Sequence, residues 1–150
     1  MDENAFWELL EDCRPAGPDP DADLLAEALS VSLSTGPLHR VVGFAEKLSW
    51  LLYRLDRREY GRGLSGDQFL YTRCAVVAAG RAVYESVLDD PTEFVPYAQG
   101  LVWAEGLLYV PDQAYEHLTG EQWPRATRYS YESFSNREGW AGAWLGGGGV

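Results

Sequence analysis

Asp67 and Arg73 are the polar pair whose spacing most readily supports chemistry. Asp67 falls in the first turn of a helix expected from Ser65 onward, and Arg73 follows less than two turns later. Both can therefore face one cleft above the loop glycines Gly61 and Gly63. In such a cleft Asp67 would steady the loop, and the planar guanidinium of Arg73 would offer paired donors to a carboxylate or phosphate. Arg81 would add a second cation, and Trp7, Tyr84 and Trp103 would supply aromatic walls. The plainer alternative has Asp67 complementing the positive end of the helix while Arg73 closes an internal ion pair.

Other reactive residue types offer less. His39 and His117 fall in different helices, and His117 suits either acid–base work beside Glu116 or Glu121 or an exposed place near a helix C-terminus. Cys13 and Cys74 are far apart, with no thiol or imidazole at ligand spacing around either. They read as small hydrophobes, and neither a metal site nor a cofactor is expected. Nucleophile elbows, phosphate-cradling loops, HExxH helices and dinucleotide fingerprints have no counterpart in the chain.

Recognition is the other chemistry on offer. The chain of 150 residues carries 12 Lys+Arg against 23 Asp+Glu, a formal net charge of −11. Nine of those acids and one base fall in residues 1–30, whereas residues 31–90 hold seven acids and eight bases. The acidic stretch with Asp19, Asp21 and Asp23 is thus a candidate surface for a basic partner. Arg54, Arg57, Arg58 and Arg62 form a local basic cluster, able to pair with that acidic stretch or to face an anionic partner. Trp140 and Trp144 near the C-terminus are candidate interface anchors, since Trp, Tyr and Arg dominate binding hot spots; the tail that bears them could equally fold back over its own helices.

Composition limits the classes. Six Trp, nine Tyr and five Phe with 46% apolar residues exclude a disordered chain and suffice for one core. The acidity argues against a duplex nucleic-acid binder, because that affinity rests on cations meeting phosphate. The apolar runs are too short to span a bilayer, which takes roughly 20 residues. The opening Met1-Asp2-Glu3-Asn4 has neither the basic nor the apolar region of a signal peptide, so a cytoplasmic protein is expected.

Helices must position these groups. Phe6, Leu9, Leu10 and Cys13 keep helical spacing, and a second helix is expected after Asp19-Pro20, with Asp19 as cap. Leu38, Val41, Val42, Ala45, Leu48, Leu52 and Leu55 hold one stripe over nearly five turns, with Trp50, Tyr53 and Arg57 on another face. Ser65-Gly66-Asp67-Gln68 has the form of a capping box, opening a long fourth helix whose seam runs from Phe69 to Leu88. Asp90-Pro91-Thr92-Glu93 starts a fifth, and Pro111 a sixth that stops at Gly120. Residues 100–110 hold two short apolar runs that periodicity leaves open between helix and strand. An all-α, single-domain helical bundle of about six helices over residues 1–122 is expected. An irregular aromatic, Gly-rich extension over 123–150 follows, partly flexible at its glycine run.

The segment from Gly61 to Pro91 resembles the signature region of an uncharacterised bacterial family, domain-of-unknown-function family 4240, common in actinobacteria. The matching residues are Gly61, Gly63, Ser65, Asp67, Phe69, Arg73, Gly80, Arg81, Tyr84, Leu88, Asp90 and Pro91, with further likeness at Phe6-Trp7, Ala114-Tyr115 and Leu118-Thr119-Gly120. The chain departs from the family pattern at Leu64, Gly66, Gln68 and Ala75, where the pattern has Cys, Asp, Gly and Trp. One of a pair of acids is thereby missing. The resemblance implies a helical domain, sometimes set beside regulatory modules, and no agreed activity. The residues taken together point to a non-catalytic protein-interaction or regulatory module, the alternative being an anionic-ligand protein or enzyme with a pocket at Asp67 and Arg73.

Overall fold

The computed structural model describes residues 1–16 and 21–141. Asp19, Trp144 and the glycine run lie outside them. Among the described residues the architecture is all-α, without strands: α1 (Glu3–Cys13), α2 (Ala22–Leu33), α3 (Leu38–Arg54), α4 (Arg58–Gly61), α5 (Gly66–Ala78), α6 (Arg81–Asp89), α7 (Val95–Gln99) and α8 (Val110–Thr119). Two 3-10 segments, Pro91–Phe94 and Glu105–Tyr109, and a helical turn at 137–141 complete it.

Local signals explain most boundaries. Asp2 caps α1 by accepting from the Ala5 N–H at 2.7 Å. The capping box forms at α5, where Gln68 N–H donates to Ser65 Oγ and Ser65 N–H donates to Gln68 Oε1. Gly120 ends α8 in the left-handed conformation at φ +73°. Two expectations are corrected, and one segment left open between helix and strand is resolved. The cap of α2 is Asp21, whose carboxylate accepts from the Asp23 and Leu24 N–H groups, rather than Asp19. The long fourth helix is two, because Gly80 at φ +106° turns the chain between α5 and α6. Residues 100–110 are neither a full helix nor a strand but a turn followed by a 3-10 segment.

The central element is α5, buried on every side from Phe69 to Ala78 apart from Tyr71. A helix enclosed in this way has no polar stripe, which is why its seam looks featureless. The stripe of α3 packs beside it through Val41, Ala45, Leu48, Leu52 and Leu55, while Leu38 and Val42 stay exposed. Helix α2 lies against α1 and α8, and α5 against α3, α6 and α7. Phe6 stacks on Phe44 at 5.0 Å between ring centroids, and the Tyr84 hydroxyl donates to the Leu51 carbonyl at 2.6 Å, pinning α6 to α3.

Beyond α8 the chain runs back across the bundle as an irregular strap over residues 123–141. Trp123 stacks on Tyr115 at 5.1 Å and Tyr129 meets Tyr53 at 4.9 Å. Arg125 donates to the Leu108 carbonyl, and the Arg128 N–H donates to Glu46.

Candidate functional site

The strap is held by the two fully buried charged residues of the bundle, Asp56 and Arg73. Asp56 follows the C-terminal end of α3, one step past Leu55, so the helical stripe that buries Leu52 and Leu55 also carries the carboxylate inward. Its oxygens accept four hydrogen bonds from the strap: Phe134 N–H at 2.8 Å, Ser135 N–H at 2.7 Å, Asn136 N–H at 2.8 Å and the Trp140 indole N–H at 2.8 Å. Three successive backbone N–H groups form a concave nest for an anion, and Phe134, at φ +70°, supplies the left-handed residue that turns them inward. Only such a set of donors makes an ionised carboxylate tolerable at full burial.

Arg73 projects from the middle of α5. Nη1 donates to the Leu52 carbonyl at 2.8 Å, and Nη2 donates to the Tyr131 carbonyl at 3.0 Å and to Ser133 Oγ at 2.9 Å. Its guanidinium also lies 4.5 Å from the centre of the Phe69 ring. Burial pushes its pKa down from the ordinary arginine value, with the Asp56 charge acting in the opposite direction. Ser133 in turn donates to the Gly66 carbonyl at 2.7 Å, so the start of α5 is tied to the strap as well.

The remaining candidate residues are dispersed. Asp67 is exposed in the first turn of α5. Arg81 is exposed on α6, paired with Glu85 at 2.9 Å and donating to Asn4 Oδ1. Trp140 is buried, its indole edge-on to Phe69 and Phe134. Asp21 and Trp103, which the sequence assigns to rival functions, come together. Asp21 and Trp103 line one groove with Leu25, Ala78, Ala79 and Val83, of about 510 Å3, between α1, α2, α5, α6 and the turn after α7. Asp23 stands beside Gly106 at the same end, its Oδ1 within 3.8 Å of where a Cβ on Gly106 would lie.

The turn after α7 reaches this groove through Val102, Trp103 and Ala104. Leu101, Val102 and Trp103 are 48%, 44% and 47% exposed, and Leu101 sits at φ +47°, a conformation non-glycine residues rarely adopt. Trp103 is held edge-on against Tyr71 at 5.7 Å, and the Ala104 N–H donates to the Tyr71 carbonyl. Sequence reasoning missed Asp56 altogether. The available signal was an acid continuing the Leu52–Leu55 stripe, where an apolar residue is expected.

Among the described residues no three His, Cys, Asp or Glu side chains are placed to hold a metal ion, and no helix is long and apolar enough to cross a membrane. The fold and its clasp define an all-α domain that binds its own C-terminal strap through one buried acid and one buried base. The chain belongs to the family described as protein of unknown function DUF4240, which it matches over residues 1–117. That span holds Asp56, Arg73 and the whole groove, whereas the strap lies beyond it. No curated protein and no solved structure matches the chain.

Proposed function

We propose that the domain is a non-catalytic protein-interaction module that receives a short segment of another protein in the groove beside Trp103. The observation that carries this reading is an apolar groove lined by two large, half-exposed apolar side chains, Val102 and Trp103. Water gains little from such a surface, and a half-exposed Trp beside a floor of alanines is the shape of a pocket that accepts an apolar anchor. Small residues at Ala75, Ala78 and Ala79 keep that floor low.

The charges at the rim set the partner's chemistry. Glu11 is neutralised by Arg14 at 3.0 Å, which leaves Asp21 at the edge with Asp23 close by. An aromatic or aliphatic side chain flanked by Lys or Arg therefore fits this groove, and the acidic N-terminal third would speed its approach.

Panning a library of random 12-residue peptides against the full chain tests the proposal. Enriched peptides are expected to carry an apolar anchor next to basic residues. Trp103→Ala or the groove-filling Ala79→Phe is expected to weaken them about 30-fold, the loss of one hot-spot side chain of about 2 kcal/mol, with the thermal midpoint of Trp103→Ala unchanged. Enriched peptides that are acidic, or that bind both variants as well as the parent, would overturn the proposal.

A further inference from the structure

The face of α3 that bears Trp50, Tyr53 and Arg54 continues onto Arg57, the residue before α4, and among the described residues none of its cations pairs with the acidic N-terminal segment. Arg14 of that segment bonds Glu11, and its Asp21 caps α2. Three adjoining concavities of about 400 to 510 Å3 instead run along this face and onto α4, sharing Trp50 and Tyr129 at one junction and Arg57 and Glu59 at the next. Six of the chain's twelve cations line them: Lys47, Arg54, Arg57, Arg58, Arg62 and Arg128. Three acids interrupt them. Glu59 is paired with Arg57 at 2.7 Å, Glu46 accepts the Arg128 backbone N–H, and Glu138 lies at the far end. Among the described residues the other five cations make no ion pair, in a chain where acids outnumber bases nearly two to one.

The cations are also preorganised. Lys47 Nζ and the Arg54 guanidinium each lie 4.7 Å from the centre of the Trp50 ring, and Arg128 lies 5.4 Å from that of Tyr129, attracted by the negative ring faces. Held so, they lose less freedom on meeting an anion than free surface side chains would. Tyr129 reaches this face because the strap is clasped by Asp56, so the strap completes the strip.

We infer that this strip is a second binding site, for an extended acidic segment of a partner protein. Lys47 and Arg54 are two helical turns apart, about 10 Å along the axis. An extended peptide rises about 3.3 Å per residue, so these two cations lie about three peptide residues apart along the strip. A single-stranded nucleic acid fits less well. Its bases need open aromatic faces, and those of Trp50 and Tyr129 are engaged by the chain's own cations and by Tyr53. The three interposed glutamates would also repel a continuous phosphate backbone.

Fluorescence anisotropy with a labelled nine-residue peptide alternating Glu with Leu or Tyr tests the inference, using the full chain at low salt. Saturable binding below about 100 μM is expected, weakened about tenfold when salt is raised from 50 to 300 mM as exposed charges are screened. Lys47→Glu, or Arg58→Glu with Arg62→Glu, is expected to weaken it by a further factor of about ten, whereas Trp103→Ala leaves it unchanged. The two variants lie at opposite ends of the strip, so local misfolding of either leaves the other as a reading. Tighter binding of a ten-nucleotide oligothymidylate, equal binding of a Lys-for-Glu peptide, unchanged binding by both charge-reversed variants, or no binding of the acidic peptide at about 1 mM would each overturn it. Failure at the groove and failure at the strip are separate results, because the peptides have opposite charge and the variants lie on different elements.

Discussion

Replacing Asp56 by Ala is the sharpest test of how the strap is held. The carboxylate is fully buried and accepts four hydrogen bonds of 2.7 to 2.8 Å, all from residues 134–140. Hydrogen bonds to a charged group contribute about 1.5–3 kcal/mol each, which added together would far exceed the observable loss. The strap can instead release and return its N–H groups to water, so the loss is limited to the free energy of docking the strap. Breaking a buried charged network by removing one partner costs about 3–5 kcal/mol, and a loss near 4 kcal/mol is expected for Asp56→Ala. For a chain of this length that lowers the thermal midpoint by roughly 10–15 °C. Asp56→Asn keeps one acceptor but turns an NH2 group toward the nest, and it is expected to lose nearly as much. Urea unfolding followed by circular dichroism gives the magnitude, and native-state hydrogen exchange gives the place. The amides of Phe134, Ser135 and Asn136 should lose protection while those of α5 keep theirs. A loss below about 1 kcal/mol, with those three amides as protected as in the parent, would refute the clasp as the element that docks the strap.

Three further outcomes follow from packing and burial. A Cβ at Gly61 would lie 2.7 Å from Phe69 Cε2 and 2.8 Å from Trp140 Cη2, two rigid rings, so Gly61→Ala is expected to cost about 1–3 kcal/mol and to loosen the turn at 137–141, read by urea midpoint and tryptophan fluorescence. Burial pushes the Cys74 thiol up to about 12 from 9.0, and donation of its hydroxyl to Glu105, with desolvation second, pushes Tyr109 up to about 12 from 10.0. Both groups must stay protonated in the folded state, so their contribution to stability is full below pH 9 and is lost as pH rises toward 12. The urea midpoint should fall over that window and fall less in Tyr109→Phe. At pH 8 a disulfide reagent should modify the half-buried Cys13 and leave Cys74 intact until the chain unfolds; equal rates at the two thiols would contradict the burial of Cys74.

Much of the helical layout was legible because its signals are local. Asp2, the Ser65–Gln68 box, Asp90 before Pro91 and Gly120 each act within one turn of chain, and periodicity over α1 and α3 needs no knowledge of the partner helix. The misread places are those where one local signal had a competitor a few residues away. Asp21 rather than Asp19 caps α2, and a continuous apolar seam from Phe69 to Leu88 concealed the left-handed Gly80, since α5 and α6 bury side chains on either side of the break.

Residue type and order alone determined an all-α chain, a capped central helix and an uneven spread of charge, because backbone hydrogen bonding and helix capping reach only three or four residues. What Asp56, Arg73, Trp140 and Trp103 do was decided by tertiary structure. Whether a charge can be buried depends on hydrogen-bond partners, which here are donors 78 to 84 residues away for Asp56 and acceptors 58 and 60 residues away in the strap for Arg73. Whether an aromatic residue anchors the core or stays open to a partner depends on which surfaces the chain has already covered. Trp140 is buried against Phe69 and Phe134, whereas Trp103 meets Tyr71 on one side and stays 47% exposed.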